Sequence, residues 1–143
     1  MHVLVPVDGS DQGWDALDYA LSHFDVDELT VLHVALPVHG AVIEGDDGQY
    51  EVLPRKEALE RGERLLTEAE RRVEAHARGT DVTFTTTLEV GRYAQTIVQY
   101  ADAHDADHVV MGSQGRTGFS RLVLGSVADT VARRSPVPVT LVR

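Results

Sequence analysis

The chain has 143 residues, 43% of them hydrophobic, with a formal net charge of −10 and no cysteine. That is the length of one domain with apolar residues enough for one core. The composition excludes disulfides, thiol catalysis and zinc–thiolate sites; it offers no basic face for nucleic acid and no run of 18 apolar residues to span a membrane.

The single lysine is Lys56, and acidic residues such as Asp11, Asp15 and Asp18 fall on what should be an outer helix face. This acid balance suggests a protein adapted to high cytoplasmic salt. At roughly 1 M salt the Debye length is about 3 Å and self-repulsion is screened. The opening MHVLVPVDGS has a short apolar run and no basic stretch before it. It reads as a first strand rather than a secretory leader, so a cytoplasmic location is expected.

Residues 2–7 form that strand and end in the turn signal Asp8-Gly9-Ser10. A helix is expected over 11–24, with Trp14, Leu17, Leu21 and Phe24 spaced three, four and three on its inner face. Residues 28–34 are a second strand. Residues 35–53 carry prolines, glycines and Asp46-Asp47-Gly48 without periodicity, and read as an unusually long loop that is either mobile or a cover, in the second case folding over the base side of a ligand. An amphipathic helix follows over 55–78, with Leu59, Gly62, Ala69 and Val73 on its stripe and Gly79 at C′.

Residues 81–88 alternate and are β-branched, which predicts a third strand. Tyr93, Ala94, Ile97, Val98 and Ala101 mark a third helix. A fourth strand over 107–111 runs into Gly112. Ser126 is the expected cap of a fourth helix that Ser135-Pro136 stops, and 137–142 are the last strand. Five strands alternating with four helices predict one α/β domain over 1–143: a Rossmann-like parallel sheet with helices on both faces.

In such a sheet, ligands bind beyond the carboxyl ends of the strands, where the strand order reverses. Two strand ends carry fitting chemistry: Asp8-Gly9-Ser10, and Gly112-Ser113-Gln114-Gly115. The second opens a segment with further glycines at 118 and 125, then Ser126 at a helix start. Glycines let main-chain N–H groups approach an anion, and a helix N-terminus adds donors and partial positive charge. Arg116 and Arg121 lie between. The segment is neither a Walker A loop, since no Gly-Lys-[Ser/Thr] is present, nor a dinucleotide fingerprint.

Gly112-x2-Gly115-x9-Gly125-Ser126 resembles the motif of ATP-binding universal stress proteins. Pro6-Val7-Asp8-Gly9-Ser10, Leu32-His33-Val34, Val110-Met111-Gly112-Ser113 and Ser135-Pro136-Val137-Pro138-Val139 extend the resemblance over essentially the whole chain. It implies sheet order 3-2-1-4-5 and a homodimer through the last strand. It implies ATP, with Mg²⁺ or Mn²⁺ held through the phosphates. Pro6 would lie beside the base, Val34 would meet adenine through its backbone, and Asp8 would contact the ribose or phosphate region. Met111 and Gly112 would line the nucleotide; Gly115, Gly125, Ser126 and Val127 would bind phosphates. Gln114 and Arg116 stand where histidine and lysine are common in such proteins.

The functional expectation is a nucleotide-dependent regulatory module, read by a protein partner, with at most slow ATP hydrolysis. Two alternatives stay open: a genuine ATPase or phosphotransferase, for which Asp8 is the one evident acidic group, and a dimeric interaction module without ATP. Asp8 as a response-regulator phospho-acceptor is disfavoured, because 137–142 lack a lysine. Asp8 also has a structural reading, as a cap of the first helix. His33 reads as a hydrogen-bonded core histidine. His104 and His108, beside Asp105 and Asp107, read as a solvated turn rather than a metal site.

Overall fold

The computed structural model describes residues 1–36, 42–44, 50–52, 55–114 and 124–143. In chain order the elements are β1 (His2–Pro6), α1 (Asp11–His23), β2 (Glu28–Ala35), the short β3 (Val42–Glu44) and β4 (Tyr50–Val52), α2 (Arg55–His76), β5 (Thr83–Val90), α3 (Tyr93–Ala103), β6 (His108–Gly112), α4 (Ser126–Arg134) and β7 (Val139–Val142). Five strands form one parallel sheet in the order β5-β2-β1-β6-β7. Counting only these five, that is 3-2-1-4-5, as expected.

The chain steps outward from β1 to β2 to β5, then returns to the other side of β1 as β6. The strand order therefore reverses between β1 and β6, and a crevice opens there above the strand ends. The three central strands are apolar along their length because helices cover both faces. Val3, Val5, Val31 and Val110 pack under Trp14 and Leu17 of α1 and Leu66 of α2. Leu4, Leu32 and Val109 pack under Ile97 of α3 and Val131 of α4. A fully buried side chain of this size contributes about 1.5–3 kcal/mol, so these two layers hold the sheet. On the edge strand β7, Val142 joins the first layer, and Val139 and Leu141 the second.

Helix α2 closes on the sheet through a glycine. A Cβ on Gly62 would sit 2.8 Å from His33 Cδ2 and 2.8 Å from Leu88 Cδ1. Nearly three turns further along α2, the Arg72 guanidinium lies 4.6 Å over the Trp14 ring and also bonds Glu68.

The structure moves several sequence boundaries. Of residues 35–53, only 35–36, 42–44 and 50–52 are described, and these are not all loop: Ala35 ends β2, and β3 and β4 pair antiparallel with Ile43 opposite Glu51, while the expected cover over a ligand's base side falls on residues outside the described ones. Strands of three residues are too short to show a period, and Asp46-Asp47-Gly48 lies outside the described residues. Helix α2 ends at His76, so Gly79 is not at C′; it takes φ +78° in the turn beyond. Strand pairing on the last strand starts late. The Pro138 carbonyl accepts from the Val109 N–H, and regular strand begins at Val139.

His108 is not in a solvated turn. It begins β6, half-buried, with its ring 4.7 Å from Phe24 and Nε2 2.7 Å from Thr140 Oγ1. Burial favours the neutral ring and lowers its pKa below the usual value. A lowered histidine pKa means that the unfolded chain binds the proton more tightly. Its contribution is therefore intact above the unfolded value near 6.5 and is lost as pH falls through it. The melting temperature of His108→Gln should consequently fall less steeply than wild type between pH 7.5 and 5.5. Parallel melting curves over that range would show His108 to be inert.

Candidate functional site

The turn after β1 is built by Asp8, Gly9 and Ser10. Gly9 takes φ +87°, a conformation that costs a residue with a Cβ. The Asp8 Oδ1 accepts the Ser10 N–H at 2.9 Å, and Ser10 Oγ accepts the Gly13 N–H at 3.1 Å. Asp8 thus ties the turn through the Ser10 N–H but is not itself the cap foreseen for it; Ser10 caps α1 from within.

The turn after β6 is held on three sides. The Ser113 N–H donates to the Val142 carbonyl at 2.8 Å, and the Ser113 carbonyl accepts the Gly125 N–H at 2.8 Å. The Gln114 N–H donates to Gln12 Oε1 at 2.8 Å. Gly112 is required by close approach, since a Cβ there would lie 3.0 Å from Gln12 Cβ and 3.1 Å from Gln12 C. The Ser113–Gly125 bond brings the two described ends of the glycine-rich segment together.

Helix α4 starts differently from α1. Ser126 is its first helical residue and not its cap. Gly125 is the cap, extended at φ −64° and ψ 151°, and, being glycine, it offers no capping side chain. The Gly125 carbonyl accepts the Asp129 N–H at 2.9 Å. The first N–H groups of a helix have no acceptor inside it and carry a share of the helix dipole. Where the Ser10 side chain closes the N-terminus of α1, the cap residue of α4 has no side chain to do so.

Between them lies a cavity of about 400 Å³. Pro6, Asp8, Val34, Met111 and Gly112 line it from the strand ends, and Gly125, Ser126 and Val127 from α4. Gly115 and Arg116 lie outside the described residues. Leu32 and Ile97 complete a largely apolar wall. Asp8 is the one carboxylate among the described lining residues, and Arg61 brings a guanidinium, which donates to the Asp8 carbonyl at 3.1 Å. His33 is buried, as expected, with Nδ1 2.8 Å from the Val7 carbonyl, and it too borders the cavity. The arrangement can take an elongated ligand, apolar at one end and anionic at the other.

Sequence reasoning missed Arg61, Tyr93 and Gln12. Arg61 precedes the glycine that lets α2 approach the sheet, which was the available signal. Tyr93 belongs to the inner stripe of α3, which reads as core. Nothing in the sequence marks Gln12, whose role appears only across 102 residues of chain.

Residues 1–143 match the universal stress protein family. The chain belongs to that family. A universal stress protein of Methanocaldococcus jannaschii is 31% identical over 99% of this chain and 81% of its own length. The solved universal stress protein UspA from Lactobacillus plantarum is 26% identical, covers 100% of this chain and 97% of its own, and superimposes with a TM-score of 0.72. A universal stress protein solved in complex with cAMP is also 26% identical, with the same coverage and a TM-score of 0.68. Among the described residues, no helix of this family member is long and apolar enough to cross a membrane.

Proposed function

We propose that this universal stress protein is a nucleotide-binding regulatory module that holds ATP in the crevice between β1 and β6. The observation that carries the reading is the α4 N-terminus, begun by a glycine cap with no side chain of its own, at one end of an apolar cavity at the strand-order reversal. The relative with bound cAMP supports a nucleotide as the ligand class. Pro6, Val34 and Met111 take the base side, Asp8 the ribose side, and Gly112, Gly125, Ser126 and Val127 the phosphates, with Gly115 and Arg116 contributing from the segment between. Eight or so donors at about 0.5–1.5 kcal/mol each reach micromolar affinity after the cost of association.

The donor set fits a metal carried by the nucleotide. Among the described residues no three His, Cys, Asp or Glu side chains gather at one point. Mg²⁺ or Mn²⁺ is therefore held mainly by phosphate oxygens, with Asp8 the lining carboxylate available to it. When bound, the ion neutralises phosphate charge. Asp8 is the one carboxylate among the described lining residues, so the acidic metal ligands that phosphoryl transfer usually needs are not gathered there, and hydrolysis is slow.

The test is nucleotide analysis. Protein purified without added ligand is denatured and its supernatant assayed; refolded protein is then titrated with ATP and followed for ADP. Micromolar uptake with negligible ADP is expected. No uptake leaves only an interaction module, and rapid ADP release makes the protein an ATPase. The net charge of −10 opposes ATP at low salt. Affinity should therefore hold or rise between about 0.1 and 1 M KCl, as the Debye length falls from about 10 to 3 Å. A steep fall would contradict a site built on local main-chain donors and suited to high salt.

The reading includes a homodimer through residues 137–142. Strand β7 pairs with β6 on one side, and its other edge has no partner strand among the described residues. Pairing with a second copy would cover it. Sedimentation at micromolar concentration should give twice the chain mass; monomer alone would rule this out.

A further inference from the structure

In the sequence Tyr93 reads as core, yet its side chain reaches the cavity. The local chain fixes where α3 begins. The Gly91 N–H donates to the Ala35 carbonyl at 2.8 Å, which ties the turn after β5 to the end of β2, one residue beyond Val34. Two positions on, Tyr93 is the first residue of α3. Helical side chains tilt toward the helix N-terminus, so one at the first position projects past the helix end and over the strand ends.

Half-buried, Tyr93 packs against the layer that contains Leu32, Val34 and Met111. All four line the cavity, on the side where Val34 and Met111 take the base. Two aromatic rings border the cavity among the described residues, Tyr93 and His33. His33 turns the other way, toward α2. Its Cδ2 would lie 2.8 Å from a Cβ on Gly62, and its Nδ1 lies 2.8 Å from the Val7 carbonyl. That ring is buried, whereas Tyr93 keeps part of its surface open.

From this the geometry points to Tyr93 as a ligand-contacting residue that makes the site prefer purine over pyrimidine nucleotides. The inference rests on the nucleotide reading above. Aliphatic walls such as Leu32 and Val34 reward any base for the area it hides. An aromatic ring adds stacking, which grows with the face that the base presents. A purine offers two fused rings and a pyrimidine one. Removal of the Tyr93 ring should therefore cost ATP more than CTP, although both carry the same ribose and triphosphate.

The experiment compares wild type, Tyr93→Phe and Tyr93→Leu by calorimetric titration with ATP and with CTP. Phenylalanine keeps the ring, and leucine keeps apolar bulk without it. Melting curves on the same samples report the fold. In wild type, intermolecular nuclear Overhauser effects are recorded between tyrosine ring protons and the base protons of ATP. Tyr93→Phe assigns the Tyr93 signals.

Wild type should bind ATP at least about 5-fold tighter than CTP, and Tyr93→Leu should cut that preference to about a third or less. Tyr93→Phe should hold it within about 2-fold, whatever the lost hydroxyl does to both affinities. Overhauser effects should link the Tyr93 ring to adenine H2 or H8. A preference that is absent from wild type, that Tyr93→Leu leaves above about a third of wild type, or that Tyr93→Phe loses equally overturns this inference alone. Should Tyr93→Leu not fold, the Overhauser effects decide: contacts from Tyr93 to the base support the inference, and contacts to the ribose alone, or none, overturn it. Wild-type protein that takes up neither nucleotide overturns the nucleotide reading itself, and this inference with it.

Discussion

Replacing Ser126 with proline should weaken ATP binding by at least about 10-fold without cost to stability. The argument rests on where the helix begins. Ser126 is the first helical residue of α4, the one position inside a helix that proline suits. Proline also restricts the residue before it to extended backbone, and Gly125 already has φ −64° and ψ 151°. The substitution therefore preserves the backbone and deletes one N–H at the mouth of the cavity. An N–H bonded to a charged oxygen is worth about 1.5–3 kcal/mol, or roughly 10- to 150-fold in affinity. Ser126→Ala is the control, since it removes the hydroxyl and keeps the N–H. Its loss should be smaller, about 3- to 10-fold. If the two variants bind ATP equally and melt together, the main-chain donor at 126 does not hold phosphate, and the reading of the α4 end is wrong.

That variant became conceivable only because the structure corrected a cap. Ser126 matches the preferred cap chemistry, and sequence rules alone would place it one residue too early for a proline test. What decides the matter is the extended backbone of Gly125, whose carbonyl accepts the first intrahelical bond from the Asp129 N–H. By contrast, the five strands of the main sheet and their parallel direction were legible, while their order came with the family resemblance and their ends shifted by two residues at β5 and β7. Continuous runs such as Val3-Leu4-Val5 and Val109-Val110-Met111 admit only a strand covered on both faces, and one crossover after another fixes them as parallel. The glycine frame was legible because backbone approach leaves a compositional mark. Gln12 and Arg61 were not, because side chains that reach across from a helix leave none. The short β3–β4 pair escaped for a third reason: three residues cannot display a period of two with any force.

The largest loss of stability should come from Leu32→Ala. Leu32 is fully buried in β2, in register with Pro6 on one side and Thr87 on the other, and belongs to the layer under α3 and α4. It also borders the cavity. Truncating a leucine in such a place costs the transfer of the lost methylenes plus the void left behind, about 2–5 kcal/mol. Against a total of about 5–15 kcal/mol, that is a large share of the domain's margin, and the melting temperature should drop by several degrees per kcal/mol. Void formation in a rigid parallel sheet is relieved poorly, because β1 and β5 hold the Leu32 backbone in place on both sides. ATP at 100 times its Kd should restore about 2.7 kcal/mol to any variant that still binds, so the ligand-induced rise in melting temperature tests the site separately from the fold. A variant that melts within two degrees of wild type would show that the second layer collapses around the gap. One that melts low, with the ligand shift intact, would show that Leu32 serves the sheet and not the nucleotide.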